Sequence, residues 1–243
     1  PRNTEMIEAG QEVTIQLLGE ASSPPDLMFI GSHCVGLDYL MGEMQKRGVS
    51  CRFLAVGSMG GVMAAKRGEC DISGIHLLDE DSGIYNQHLI SPELNLHKGY
   101  RRSQGLIFRK DDKNFSDFNP DFGKSLQQVI NNPGVHMINR NRGSGTRVLL
   151  DHYLKDQQPT GFFQEAKSHN SVAAAVAQKR ADWGFAIRSV AEDSGLGFIP
   201  IQDEEYDFVI HKERHKRKEV TRFLSLLEEK DIKKNLAELG LKI

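Results

Sequence analysis

The run Asn139-Arg140-Asn141-Arg142-Gly143-Ser144-Gly145-Thr146-Arg147 gathers three arginines, two glycines and two hydroxyls within nine residues. These are residue types that hold anions. Guanidinium groups carry fixed charge and forked donors, hydroxyls add further donors, and glycine lets the backbone approach a ligand closely. A short apolar run, Val135 to Ile138, precedes the loop. Leu149, Leu150, Tyr153 and Leu154 follow it at the three- and four-residue spacing of one helix face. The stretch therefore reads as strand, loop, helix, with Ser144 or Thr146 as N-cap. The free N–H groups and positive end of that helix would face the loop, which suits an anion. The same parts also make an ordinary capped helix with surface arginines. On an extended segment Arg140 and Arg142 share one side and Asn141 takes the other, and the sequence does not say which arginine faces inward.

Other segments repeat this grammar. Leu27 to Ile30 is strand-like and is broken by Gly31-Ser32-His33, and Leu37, Leu40, Met41 and Met44 then form a helical stripe. Cys51 to Val56 reads as a strand ending at Gly57-Ser58-Met59-Gly60-Gly61, with a short helix from Val62 to Lys66 and another strand from Cys70 to Ile75. Ser168-His169-Asn170-Ser171 can cap the Ala/Val-rich helix that runs to Lys179, and Ala181 to Ile187 is again strand-like. Gly105 to Phe108, Phe198 to Ile201 and Tyr206 to Ile210 read as three further strands, Phe122 to Asn131 as a helix, and Ser82 to Tyr100 as an irregular connection. Val220, Phe223, Leu224 and Leu227 mark a C-terminal helix. Strands alternating with helices predict a mainly parallel α/β sheet. The unit at Ser32 to Asp71 recurs about 110 residues later at Ser144 to Asp182. Two such lobes would point helix N-termini into one cleft, at the edge where open α/β sheets bind ligands.

Composition removes several functions. At 243 residues and net charge −2 the chain has room for a sizeable core and no field that favours nucleic acid or anionic membrane. No apolar run approaches the roughly 20 residues needed to span a bilayer. Cys34, Cys51 and Cys70 form no CxxC pair, and the nine histidines show no HExxH spacing, so no structural zinc site or other metal site is expected. Neither a Walker A loop nor a GxSxG elbow occurs. The expected class is a binding or sensing module with no catalytic residue of its own.

Gly57-Ser58-Met59-Gly60-Gly61, Gly74-Ile75-His76-Leu77-Leu78-Asp79, Gly83-Ile84-Tyr85-Asn86, Arg102-Ser103-Gln104-Gly105-Leu106 and Asn139 to Asp151 occur in one order. Together they resemble the periplasmic-binding-protein-like domain found attached to molybdopterin biosynthesis proteins and behind excisionase-type DNA-binding domains. Where that pattern has an acidic residue this chain has Ser103. Pro1 to Leu18, with Val13, Ile15 and Leu17 alternating as in a strand, resembles the end of a molybdopterin molybdenumtransferase. The resemblance implies a two-lobed α/β fold of type II, with helices on both sheet faces and two hinge crossovers. Its expected parts are a tail with linker over 1–21, one lobe from 22–104 with 203–243, and a second from 105–202. It implies a cytoplasmic domain that takes a small anionic ligand, either molybdate or tungstate or a pterin intermediate, with no cofactor of its own. Its partner would be its own N-terminal molybdenumtransferase domains, and self-association is a further expectation. The alternative is an effector domain for an unrelated organic ligand. The expected ligand-binding residues are Ser32, His33, Ser58, Met59, Gly60, His76, Asn86, Arg142, Ser144, Gly145, Thr146, Arg147 and His169.

Overall fold

The computed structural model describes residues 8, 10–14, 24–79, 81–115 and 121–243. The first half of the fold is β1 (Leu27–Gly31), α1 (Val35–Lys46), β2 (Cys51–Ala55), α2 (Gly57–Lys66) and β3 (Ser73–Ile75). β4 (Leu94–Phe108) then leads through α3 (Phe122–Ile130) to the same order again. That second unit is β5 (Met137–Arg140), α4 (Gly145–Leu154), β6 (Glu165–Ala166), α5 (His169–Ala177) and β7 (Trp183–Ile187). The chain returns through α6 (Arg188–Asp193) and β8 (Gly197–His211) to α7 (Lys218–Leu226), α8 (Lys230–Glu238) and β9 (Leu241–Lys242).

Each unit builds a parallel core. β1 pairs with β2 and touches β3 through the Phe29–Ile72 bridge, while β5 lies between β6 and β7. Each unit also has its own apolar interior. One is made by Leu27, Phe29, Leu37, Leu40, Met44, Phe208, Phe223 and Leu236. The other is made by Leu106, Leu126, Met137, Leu150, Trp183 and Phe185, with Val172, Val176 and Ala186 on the far face. The result is two lobes, and the recurrence in the sequence is the repeat of one βαβαβ unit. Close helix–sheet contact explains one glycine. A Cβ on Gly61 would lie 2.2 Å from Ser73 Oγ and 2.7 Å from Gly31 Cα, so α2 settles onto β1 and β3 only if that side chain is absent.

The lobes are joined by β4 and β8, two 15-residue strands that run antiparallel from Leu94↔His211 to Phe108↔Gly197. The sheet is mixed because these strands also pair antiparallel with β3, β7 and β9. Here the structure departs from the sequence reading. Leu94 to Tyr100 is strand rather than irregular connection, and the two expected strands between Phe198 and Ile210 are one. The polar runs Arg101-Arg102-Ser103-Gln104 and Gln202-Asp203-Glu204-Glu205 resemble breaks in a strand. They are instead its middle, with Arg102 opposite Glu204 and Gln104 opposite Gln202. Also, α2 begins at Gly57, so Gly57 to Gly61 is helix rather than loop. Ile15 and Leu17, on which the expected N-terminal strand rests, lie outside the described residues.

Candidate functional site

The crossover strands carry a buried polar cluster between the lobes. Period-two alternation puts Tyr100, Arg102 and Gln104 on one side of β4 and Glu204, Tyr206 and Phe208 on one side of β8, and all six are buried. Arg102 and Glu204 are each 1% exposed and form an ion pair through Glu204 Oε1. Gln104 donates its amide to Glu204 Oε2, and His76 Nδ1 lies 3.0 Å from the same oxygen. His76 follows β3, where Ser58 in the first turn of α2 accepts its backbone N–H at 3.1 Å. On the other side of the ring, Nε2 lies 2.7 Å from Ser32 Oγ. Ser32 follows β1 and is itself pinned, because its N–H donates to Gly74 O at 2.9 Å and its carbonyl accepts from Tyr206 OH.

Electrostatics fix the proton positions in this chain. Burial alone would push the Glu204 carboxyl up, but Arg102 and then His76 hold it well below the usual carboxylate range. Burial, and then Arg102 against the pull of Glu204, lowers the His76 pKa, so its imidazole is neutral. Its one N–H therefore sits on Nδ1 facing the carboxylate, Nε2 is bare, and the Ser32 hydroxyl donates to it. Serine, imidazole and carboxylate in series are also the parts of an acyl-transfer triad. A triad base, however, must become imidazolium, and here burial and a neutralising arginine on the carboxylate both oppose that charge. The series acts as a lock on hydrogen-bond direction.

The second lobe brings its anion-binding loop against this cluster. Gly143 adopts φ +82°, the left-handed turn that starts α4. Ser144 caps the helix, accepting from Arg147 N at 3.2 Å. Gly145, the first helical residue, meets His76 across the cleft. A Cβ there would lie 3.1 Å from His76 O and 3.4 Å from His76 Nδ1. A cavity of about 40 Å³ remains, lined by His76, Leu77, Leu78, Tyr85, Gln104, Gly145, Val148, Leu149 and Glu204. That is room for a few water-sized atoms.

Arg140 ends β5 and is buried, and among the described residues no carboxylate pairs with it. Its weak bonds go to Ala166 O at 3.3 Å and Lys167 O at 3.4 Å, and Nη1 has no protein partner. Burial, and then the Arg102 charge, lowers its pKa from 12.5 to about 10. His169, the first residue of α5, feels Arg140, Arg102, Glu204 and His76. Its sealed Nδ1 has no partner, and burial followed by the arginines drives its pKa well below 6.5. Thr146 Oγ1, in the first turn of α4, is also buried and unpartnered. With Arg102 cancelled by Glu204 and both histidines neutral, the cluster has one positive charge in excess.

Of the residues singled out from sequence, Ser32, His76, Gly145 and His169 meet in this region, with Ser144 and Thr146 in the adjoining turn. The others stand elsewhere. His33 is exposed and bonds Asp38 at 2.7 Å, and Met59 is 53% exposed. Gly60 packs on Val56, and Ser58 is committed to the His76 backbone. Asn86, left-handed at φ 66°, spends its amide on Leu77 N, Glu205 O and Asp207 Oδ2. Arg142 is exposed. Arg147 is buried but bonded to Asp151 and Glu165 and stacked over Phe162. The inward arginine is thus Arg140, because Arg142 falls beyond the end of β5 in the open turn. Arg102 and Gln104 lie in the Arg102–Leu106 piece of the resemblance, which gave them no role, and Glu204 lies in no motif. The polar runs around them gave no sign of a buried strand.

Two lobes on paired crossover strands, with facing helix N-termini and an unneutralised buried arginine in the cleft, define a periplasmic-binding-protein-like ligand-binding domain of type II. Residues 41–228 match the PBP_like family, the PBP superfamily domain, and the chain belongs to that family. It is 29% identical over 195 residues to the uncharacterised protein YvgK of Bacillus subtilis (strain 168), a match covering 76% of this chain and about 60% of that protein's length. The fold is similar to that of a putative phosphate ABC transporter substrate-binding protein with bound phosphate from Clostridium perfringens. That likeness has a TM-score of 0.66 at 16% identity, over 89% of this chain and 99% of that one. It is also similar to that of the tungstate-binding protein TupA from Desulfovibrio alaskensis G20, with a TM-score of 0.60 at 14% identity, over 88% and 94%. At these identities the likeness is one of fold.

Proposed function

We propose that this domain closes its two lobes on a single small oxyanion held between Arg140, His169, the α4 N-terminus and the Ser32–His76 pair. The observation that carries this is Arg140, a buried cation with no carboxylate partner among the described residues and a buried Nη1 that has no protein partner. An uncompensated buried charge is costly, and an anion in the cleft would neutralise it while using the free N–H groups of α4. The phosphate- and tungstate-binding proteins of similar fold support the same class of ligand. Calorimetric titration with phosphate, sulfate, molybdate and tungstate tests it: at least one should bind saturably at a single site, and no heat from any of them with the fold intact would end this reading.

A narrower form places the domain in the cytoplasm beside molybdenum cofactor synthesis, attached to a molybdenumtransferase and self-associating through it. It rests on the resemblance of Pro1 to Leu18. A cavity of about 40 Å³ suits a tetrahedral ion better than a pterin ring. Deleting the coding region for residues 24–243 should then lower molybdoenzyme activity at limiting molybdate and spare it in excess. Unchanged activity at both would remove this setting. The apolar wall of Leu77, Leu78, Val148 and Leu149 favours a second reading, an effector domain for a small organic anion. Regulation of an attached domain by such an acid, with inorganic oxyanions inert, would establish it.

A further inference from the structure

We propose that two copies of this chain associate through the outer edge of β2, joined antiparallel about a two-fold axis at Leu54. β2 pairs with β1 and, among the described residues, with no other strand. Its main-chain groups alternate in direction. Ser50 O accepts from Leu27 N, and Val56 N donates to Gly31 O, so the even-numbered residues bond toward β1. The N–H and C=O groups of Cys51, Phe53 and Ala55 then point away from it, along an open edge. Exposed edges are usually blunted by shortness, proline or charge, because they template pairing with another chain. β6, at one end of the large sheet, is two residues long. β2 has five residues, with neither proline nor glycine, and Arg52 is its one charge.

The side chains beside this edge are apolar. Cys51 and Phe53 pack on the core of the first lobe. Leu54 takes the opposite face, shared with its β1 neighbour Ile30, which packs with Val62 and Ala65 of α2. α2 rests on β1 and β3, and Leu54, Val56, Met59 and Met63 are left between 44% and 53% exposed. Met59 and Met63 are one helical turn apart, on one side of α2. Four large apolar side chains on adjoining elements mark an interaction face. A second copy suits it because β2 complements itself. With the axis at Leu54, that residue faces Leu54 of the second copy, Phe53 exchanges both main-chain bonds with Ala55, and Val56 lies opposite Arg52. The apolar residues meet at the centre. The two Arg52 positions end about 14 Å apart along the strands, at about 3.4 Å per residue, beyond the ~10 Å reach of charge in salt. An axis at Phe53 would halve that separation. The face is small, of the class that buries about 1,200 Å² or less in total, so the dimer is a weak one.

The test is sedimentation equilibrium of the full chain from about 1 to 300 µM, the span in which a weak interface fills. The mass should rise from the 27.2 kDa of one chain toward twice that value. Leu54→Lys sets two like charges on the axis, and Ala55→Pro removes an outward N–H that β1 does not use, a place where an edge strand tolerates proline. Each should weaken the dimer at least tenfold, about 1.4 kcal/mol. Thermal melts identify a variant that has lost its fold, and the two act through different groups, so one suffices if the other fails. Leu54→Cys should join two chains through the introduced thiols when diamide, itself reduced, takes up their hydrogens, because opposed residues of a pair that exchanges no main-chain bonds lie about 4.5 Å apart at Cα, within disulfide reach; the parent should stay unlinked. A single 27.2 kDa species over the whole range overturns the self-association. A dimer of unchanged affinity in the folded variants overturns its assignment to β2, and a dimer that leaves Leu54→Cys unlinked overturns the axis at Leu54.

Discussion

Replacing Arg140 with methionine should move stability and binding in opposite directions. Arg140 is 8% exposed and carries a charge that the surrounding protein does not neutralise. The fall of its pKa from 12.5 to about 10 corresponds to about 3 kcal/mol by which the folded environment disfavours that charge. Methionine keeps most of the aliphatic stem and removes the cation. It gives up two long bonds to Ala166 O and Lys167 O, at 3.3 and 3.4 Å, each worth about 0.5 kcal/mol at that length. The ligand-free variant should therefore be more stable by about 1–2 kcal/mol. For a chain of this size that is a rise in Tm of about 2–8 °C. Binding should weaken, because a hydrogen bond to a charged group contributes about 1.5–3 kcal/mol, or roughly 10- to 150-fold in Kd. Scanning calorimetry without anion and isothermal titration with phosphate measure the two arms. A variant that melts several degrees lower and binds phosphate as the parent does would refute the reasoning and make Arg140 a structural residue.

Three further outcomes follow from the same cluster. Glu204→Gln strands Arg102 in the hinge and should cost about 3–5 kcal/mol in urea denaturation, whereas Arg102→Met with Glu204→Gln should recover most of that loss; a loss in the double variant equal to the sum of the two single losses would mean the pair is not coupled. In acid, burial and then the arginines keep His76 and His169 neutral, while the unfolded chain protonates both near pH 6.5. Stability should therefore be full above about pH 6.5 and fall below it by up to about 1.4 kcal/mol per pH unit for each histidine, with a further loss below about pH 4.5 as the unfolded chain takes up the proton that Glu204 refuses; a flat profile from pH 7 to 5 would contradict this. Gly145→Val puts methyl groups where a Cβ alone lies 3.1 Å from His76 O, so it should hold the lobes apart, weaken phosphate binding at least tenfold and enlarge the radius of gyration in X-ray scattering without lowering Tm.

Local chemistry was legible in the sequence wherever one segment both states and fulfils its role. The βα alternation, the recurrence of the unit, the capped start of α4 and the turn at Gly143 depend on periodicity, capping hydroxyls and the freedom of glycine, all properties of neighbours in the chain. The helix stripe of Leu37, Leu40 and Met44 became core because spacing alone puts those side chains on one face. The crossover strands were not legible. Arg102, Gln104 and Glu204 look like strand breakers until each has found its partner about 100 residues away, and only the paired register Arg102↔Glu204 turns two polar runs into one buried hinge. The arginines show the division most plainly. Composition announces that 139–147 can hold an anion, yet it cannot tell that Arg147 is consumed by Asp151 and Glu165, that Arg142 projects into solvent, and that Arg140 alone is sealed in without a counterion. Residue type sets what a group can do. Burial and the partners that tertiary packing supplies decide whether its charge is already satisfied within the protein or left for a ligand.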